Sequence, residues 1–445
     1  MLQNNKLPKN WKIVKLKDIT TLSSQKHSPI KPENLFYIGL EHIEKHTGKL
    51  TQKAGIDKIT TIKNKFSKGD ILYGKLRPNL NKVYLSKEDG VCSTDILVLK
   101  LSKECLGKYL HAIMFGNTFV NIMSKNTSGV NLPRVSTKIV MNYEIPLPPL
   151  ETQNLIVSKI EELFSELDKG IEDLKTAQEQ LQIYRQSVLK WAFEGKLTKQ
   201  WRLKNKINIE DFIKEIRLKG KESFIKTKYG IVESDKDEKL LQIPNEWRWI
   251  RNEELIFYVT SGSRDWKKYY SSKGSYFIRT QNLNTNLLDL TDAAFVDLPS
   301  KVEGKRSLVQ NGDLLMTITG ANVGKVAYVD HEIPEAYVSQ SVSLMKYIDK
   351  RMVKYLWYYF QCKDFGQGLI SGLVYGMGRP VLNLENMKEV PVALCTLEEQ
   401  NQIVQEIESR LSVADKMEES ITQSLQQAET LRQSILKKAF SGELV

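Results

Sequence analysis

Two stretches of the chain place apolar residues at steps of three and four. In the first, Ile160, Leu163, Leu167, Ile171, Leu174, Ala177, Leu181, Tyr184 and Val188 trace one stripe. In the second the stripe runs Ile403, Ile407, Leu411, Ala414, Ile421, Leu425, Ala428, Leu431 and Ile435. This period predicts helices over 150–193 and 397–440. Polar residues interrupt both stripes, and neither stretch contains proline. A narrow apolar seam on an otherwise charged rod predicts a coiled coil, and two such seams in one chain can bury each other. Gly195 and Gly442, each just after an Ala-Phe pair, supply the stop signals. The prolines of Ile145-Pro146-Leu147-Pro148-Pro149 fix where the first rod begins.

The rods are copies of one another. Gln153 and Gln400, Ile156 and Ile403, Arg185 and Arg432, Phe193 and Phe440, and Leu197 and Leu444 all stand 247 positions apart, without a gap. Upstream the repeat continues more loosely. Pro8 and Trp11 match Pro244 and Trp247, Gly69-Asp70 matches Gly312-Asp313, and Tyr109-Leu110 matches Tyr355-Leu356. Offsets there drift from 236 to 247, so the segments preceding the rods have gained and lost residues. A duplicated unit of this size is an internal pseudo-two-fold repeat, and it sets the architecture before any motif is considered.

Residues 1–148 and 243–396 mix short strand-like runs, such as Asp95 to Leu99 and Lys325 to Val329, with turn residues. Each also carries a helical pattern after its strands, Tyr109 to Phe119 and Lys354 to Cys362. Both read as α+β domains. Residues 199–242 read as a polar, basic linker with one short helix near Glu210 to Lys219. The second rod finishes near Val445, so the two ends of the chain are expected to meet in a pseudo-cyclic arrangement.

With 445 residues, 41% of them hydrophobic, the chain can bury several cores. Its net charge of +12 is spread over both halves, which points to an extended negative partner, nucleic acid first. The first residues lack the apolar centre of a secretion signal, and no run of about twenty apolar residues occurs, so a cytoplasmic location is expected. Cys92, Cys105, Cys362 and Cys395 lie far apart and read as buried free thiols.

Catalytic motifs are not found. Gly320-Ala-Asn-Val-Gly324-Lys325 has three residues between its glycines where a phosphate loop needs four, and Val326 stands where that loop needs Ser or Thr. It reads instead as a turn before a strand. His42 and His46 could share one side of a helix, but no third metal ligand accompanies them, and no metal site is expected. The serine nucleophile elbow, the Gly-rich dinucleotide loop and the Asn-Pro-Pro-Tyr/Phe adenine cradle are all absent, so the chain is expected to catalyse nothing itself.

The order of variable domain, rod, variable domain, rod resembles the specificity subunit of type I restriction–modification enzymes. So do Pro146-Leu147-Pro148-Pro149-Leu150-Glu151-Thr152-Gln153, Ala192-Phe193-Glu194-Gly195-Lys196-Leu197, Tyr37-Ile38-Gly39-Leu40-Glu41, Gly69-Asp70-Ile71-Leu72-Tyr73-Gly74, Phe277-Ile278-Arg279-Thr280-Gln281-Asn282 and Thr319-Gly320-Ala321-Asn322. The resemblance covers essentially the whole chain. One departure is the entry to the second rod, which is two residues longer and has fewer prolines.

The resemblance implies an α+β chain with two target recognition domains, 1–148 and 243–396. Two long antiparallel helices, 149–198 and 397–445, would form a coiled-coil spacer between them, with the basic linker at 199–242. Each domain would read one half of a split, asymmetric site in double-stranded DNA. Two methyltransferase subunits would dock on the helices, joined by restriction/translocase subunits. S-adenosylmethionine, ATP and Mg are expected on those partners, and no cofactor on this chain.

Base readout calls for Arg or Lys against guanine and Asn or Gln against adenine. Residues that fit are Lys26, His27, Lys75, Arg77, Asn79 and Arg134 in the first domain, and Arg264, Lys267, Arg279, Gln281, Asn282 and Arg379 in the second. Phosphate contacts and structural ion pairs use the same residue types. Glu41 and Glu44 could accept from cytosine. Two other classes remain open at this level, a coiled-coil assembly adaptor whose variable domains bind proteins, and a methyltransferase with degenerate motifs.

Overall fold

The computed structural model describes residues 7–28, 35–52, 54–55, 61–205, 208–221, 240–299, 302 and 304–445. The central part of the linker therefore lies outside the described residues. The chain divides into two compact units, one made of Met1–Thr176 and Ile421–Val445, the other of Ala177–Ser420. Both rods are single helices, Leu150–Phe193 and Leu397–Ser441, and each contributes to both units.

In the first unit an antiparallel four-stranded sheet has the order Thr20–Leu22, Ile96–Leu101, Ile71–Gly74, Val83–Leu85. The second unit repeats it as Ile256–Ser261, Val342–Tyr347, Leu314–Thr317, Val326–Tyr328. The central strands Ile71–Gly74 and Leu314–Thr317 are buried at every position, because a helix covers one face and a second sheet the other. That second sheet has five short strands in the first unit and four in the second, each with one parallel pair. A small two-stranded ladder closes each domain, joining Lys12–Lys15 to Glu144–Leu147 and Arg248–Arg251 to Pro391–Leu394.

The same contacts bind rod to domain in each unit. Phe440, at the end of the second rod, meets the Tyr109 ring edge-on at 5.5 Å, and Phe193, at the end of the first, meets Tyr355 at 5.3 Å. Lys108 pairs with Glu161, and Lys354 with Glu408. The Gln433 amide oxygen accepts from Asn117 N–H at 2.9 Å, and its equivalent Gln186 accepts from Lys363 N–H at 3.1 Å. At the start of the rods, the buried Gln153 and Gln400 amides donate to Pro148 O and Cys395 O. Each domain is thus held by the beginning of the rod that follows it and the end of the other rod.

The rods run antiparallel within each unit. Arg432 pairs with Asp168 in the first and Arg185 with Asp415 in the second, and 247 positions separate each residue from its equivalent. Arg432 also lies 4.5 Å over the Phe164 ring. Rod side chains Ile156, Val157, Ile160, Ile435, Leu436 and Ala439 join the core of the first unit. Val188, Leu189, Ala192, Phe193, Ile403, Val404 and Ile407 join that of the second. The predicted stripe fails at one place, and at the same place in both rods. Tyr184 and Leu431, again 247 apart, face solvent rather than the seam.

Three other expectations are corrected. The helix read as Tyr109 to Phe119 is two helices, Gly107–Phe115 and Asn117–Lys125, because Gly116 between them is extended (φ −65°, ψ 137°). The segment read as a linker with one short helix holds two, Lys199–Lys204 and Ile209–Gly220, and the second is packed into the domain. Its Ile209, Phe212, Ile213 and Ile216 are buried in the core of the second unit, and Arg217 bonds the buried Glu254 at 2.9 Å. His42 and His46 do not share a helix face. His42 ends a three-residue turn with its ring against Tyr37 O, and His46 sits in a turn at φ 59°.

At the chain ends, a Cβ on Gly442 would strike Pro8 at 2.5 Å, and one on Gly195 would strike Pro244 at 2.3 Å. Both glycines have positive φ, 80° and 69°, so both reasons for glycine apply. Pro8 and Gly442 are therefore neighbours, and the two ends of the chain meet within the first unit. Among the described residues, no helix is long and apolar enough to cross a membrane, and no group of three His, Cys, Asp or Glu could hold a metal ion.

Candidate nucleic-acid interface

Four candidates of the first domain converge on one loop junction. The segment that follows strand Ile71–Gly74 runs beside a hairpin closed by Thr127–Ser128 and Arg134–Val135. Val135 N–H donates to Lys75 O at 3.1 Å, Leu76 bridges Arg134, and Arg77 N–H donates to Pro133 O at 2.8 Å. Lys75 is half-buried, while Arg77, Asn79 and Arg134 are exposed. Arg134 reaches Asp95 at 3.3 Å, so part of its charge is neutralised within the domain. Arg77 occupies the left-handed region at φ 49°, uncommon for a residue with a side chain. The hydrogen bond to Pro133 holds it there, with its side chain outward.

The second domain builds the same junction. Its hairpin is closed by Tyr375 and Val381, whose backbones exchange hydrogen bonds of 3.0 and 2.8 Å. Gly320 N–H donates to Pro380 O at 2.9 Å, Thr319 bridges Val381, and Leu382 N–H donates to Ile318 O at 2.9 Å. Gly320 has φ 102°, so glycine stands here where the first domain strains an arginine. Arg379 lies in the hairpin loop and is exposed. Just past each hairpin a residue caps a helix, with Ser136 accepting from Ile139 N–H and Asn383 from Asn386 N–H. The two junctions are therefore one element, duplicated.

The remaining candidates lie elsewhere. Lys26 and His27 form an edge strand of the five-stranded sheet, and Lys26 Nζ donates to Asn64 Oδ1 at 2.5 Å. Arg264 and Lys267 are exposed on either side of Trp266, whose buried indole packs on Phe277 and Tyr337 and anchors that loop. Arg279, Gln281 and Asn282 form a turn with its own hydrogen-bond economy. Asn282 is buried, accepting from Arg279 N–H at 2.8 Å and donating to Asp289 O at 2.8 Å. Arg279 Nη2 donates to Asp292 O, and Gln281 Nε2 to Asp292 Oδ2. Those polar groups hold the turn together, with Gln281 the most exposed of the three. Glu41 is exposed beside the buried His42, and Glu44 accepts from Thr47.

Two buried carboxylates stiffen the strand turns below the junctions. Asp70 accepts from Ser67 N–H, and Asp313 from Gln310 N–H and Lys346 Nζ. Burial raises both pKa values above the ordinary carboxylate range, against the lowering effect of those hydrogen bonds. The hairpins carry only two of the candidates, Arg134 and Arg379. Their visible signal was the pair Gly129 and Gly376, 247 apart and both at positive φ.

Comparison with known proteins gives one family. The sequence matches the type I restriction modification DNA specificity domain twice, at residues 8–176 and 244–427. The specificity subunit of the EcoBI type I restriction enzyme of Escherichia coli is 28% identical over 80% of this chain and 68% of that protein. The EcoDI specificity subunit is 33% identical, over 45% of each chain, so that match spans less than half of the relative. The fold is shared with a chain solved in work on complex assembly and conformational transition of the type I R-M system. It has a TM-score of 0.72 and 19% identity, over 98% of this chain and 99% of that one. It is also shared with the HsdS subunit of Thermoanaerobacter tengcongensis, with a TM-score of 0.52 and 19% identity over 99% of each. With both matched segments centred on the duplicated domains and their rods, this chain belongs to the family of type I restriction–modification DNA specificity subunits.

Proposed function

We propose that this chain reads a split, asymmetric site in double-stranded DNA, one half per domain, and seats two methyltransferase subunits and restriction/translocase subunits. The observation that carries the reading is the duplicated junction, in which one backbone scaffold presents Arg77, Asn79 and Arg134 in one domain and Arg379 in the other. One scaffold with different side chains suits two different half-sites, and the cations suit phosphate and guanine alike. S-adenosylmethionine, ATP and Mg chemistry belongs, in this reading, to the partner subunits.

Partner docking has its own support. The rods expose apolar side chains on otherwise charged surfaces, Leu155 and Leu431 in the first unit and Ile183, Tyr184, Val413 and Met417 in the second. Tyr184 and Leu431 are equivalents, as repeated seats for two copies of one partner require. The test is to co-express the chain with its cognate methyltransferase and map methylated bases genome-wide. A two-part recognition sequence with an unread gap is expected. Methylation at a continuous sequence, or at sites independent of this chain, would overturn the reading, and assembly without any DNA binding in gel shifts would favour the adaptor class instead.

A further inference from the structure

The tips of the duplicated hairpins carry apolar residues with nothing of this chain against them. Val130 is 98% exposed and Met377 105% exposed, the two most exposed large apolar side chains among the described residues. They are equivalents, 247 positions apart, on hairpins of equal length. Scattered exposed apolar residues are ordinary. A fully exposed one at the same tip of two diverged domains is not scatter, because Ser128, Asn131, Leu132 and Arg134 give way to Tyr375, Gly378, Arg379 and Val381 between the copies while the apolar character of the tip stays.

Taking double-stranded DNA as the ligand, as proposed above, we propose that Val130 and Met377 are specificity-determining residues, each making an apolar contact with base edges in its own half-site. Cations flank both tips, Arg77 and Arg134 in the first domain and Arg379 in the second. On a duplex the phosphates attract those cations, whereas an apolar side chain gains nothing from a phosphate. The apolar features within reach of a two-stranded ribbon entering the major groove are the thymine methyl group and the carbon edges of the bases. Gly129, Gly376 and Gly378 take positive φ and keep both tips narrow, leaving the tip side chain foremost.

The test uses the full chain in complex with its cognate methyltransferase, as wild type, Val130→Ala and Met377→Ala. Genomic DNA and a library of duplexes randomised around the wild-type site are the probes. Each variant should methylate the wild-type site roughly tenfold more slowly, the value of about two buried methyl or methylene groups. Base preference should relax at one or two adjacent positions only, in one half-site for Val130→Ala and in the other for Met377→Ala. Melting temperatures should not change, since the tips touch nothing in the chain. Unaltered base preference with both variants overturns the proposal. So does loss of the assembled complex in size-exclusion chromatography, which would assign the tips to a protein partner. A wild-type complex without two-part sequence preference would instead sink the DNA reading itself.

Discussion

Glu399 is a carboxylate with no solvent exposure at the start of the second rod. Its Oε1 accepts from Thr198 Oγ1 at 2.7 Å and Arg202 Nη1 at 2.5 Å, and its Oε2 accepts from Trp247 Nε1 at 2.9 Å. One side chain thereby ties the segment leaving the first rod, the strand entry of the second domain and the second rod into one knot. Glu399→Gln keeps the shape but removes the charge, and it turns an amide N–H₂ toward groups that are themselves donors. Removing one partner of a buried pair costs about 3–5 kcal/mol. Arg202 keeps a second carboxylate, Glu246 at 3.5 Å, and a bond to Gly195 O, so the lower end, about 3 kcal/mol, applies. In a unit of 244 residues (177 to 420) this shifts its melting temperature by roughly 6–12 °C. Calorimetry of the full chain reads it directly. Replacing Glu399 and Arg202 together by apolar residues should recover part of the loss, since no charge is then stranded. A Glu399→Gln variant within 1 kcal/mol of wild type, or a double variant worse than both singles combined, would refute the reasoning.

Acid should destabilise the first unit through His111. Burial holds its pKa down at about 4, against a hydrogen bond with the Val83 backbone, and Nε2 is shielded although the residue is partly exposed. The unfolded chain takes up this proton near pH 6.5 and the folded chain does not, so stability is lost as pH falls below that value. Between pH 7.5 and 5 the loss is about 2 kcal/mol, and urea titrations should find it missing from His111→Gln. Arg77→Gly should leave stability unchanged within about 1 kcal/mol, because relief of the left-handed strain offsets the added freedom of the unfolded chain. The same variant should bind DNA more weakly, with a salt slope lower by about one, and equal binding would remove Arg77 from the interface. Residues 1–198 alone should form a homodimer, Phe193 taking the place of Phe440 against Tyr109 and Arg185 that of Arg432 on Asp168. With methyltransferase it should methylate an inverted repeat of one half-site. Sedimentation as a monomer would rule this out.

The rods and their repeat were legible because a helix buries residues at a fixed period, and 247 residues separate equivalents without a gap. Periodicity could not tell that Tyr184 and Leu431 sit beside the seam, since a residue one step off a narrow stripe has the same spacing. The domains were legible only as a mixture of strands and helices. Their strands are two to six residues long, and the order Thr20–Leu22, Ile96–Leu101, Ile71–Gly74, Val83–Leu85 depends on pairings distant in sequence. Candidate contacts chosen by residue type divided according to what else those groups bond. Asn282 and Arg279 are taken up by their own turn, whereas Arg77 projects from backbone whose hydrogen bonds are already met and Arg379 is exposed in its hairpin loop. Such a division requires knowing where neighbouring carbonyls lie, which composition does not contain.

Because each domain is gripped through the same few places, a tyrosine edge, a lysine, one backbone N–H and a buried glutamine, the grips act as a standard socket. A domain that keeps its tyrosine, its lysine and that backbone N–H fits the socket whatever its loops contain, the glutamine being supplied by the rod. The loops that bear Arg77, Arg264 or Arg379 take no part in those grips. Mutation can therefore rewrite what the surface recognises without loosening what the chain assembles, and whole domains become exchangeable cassettes.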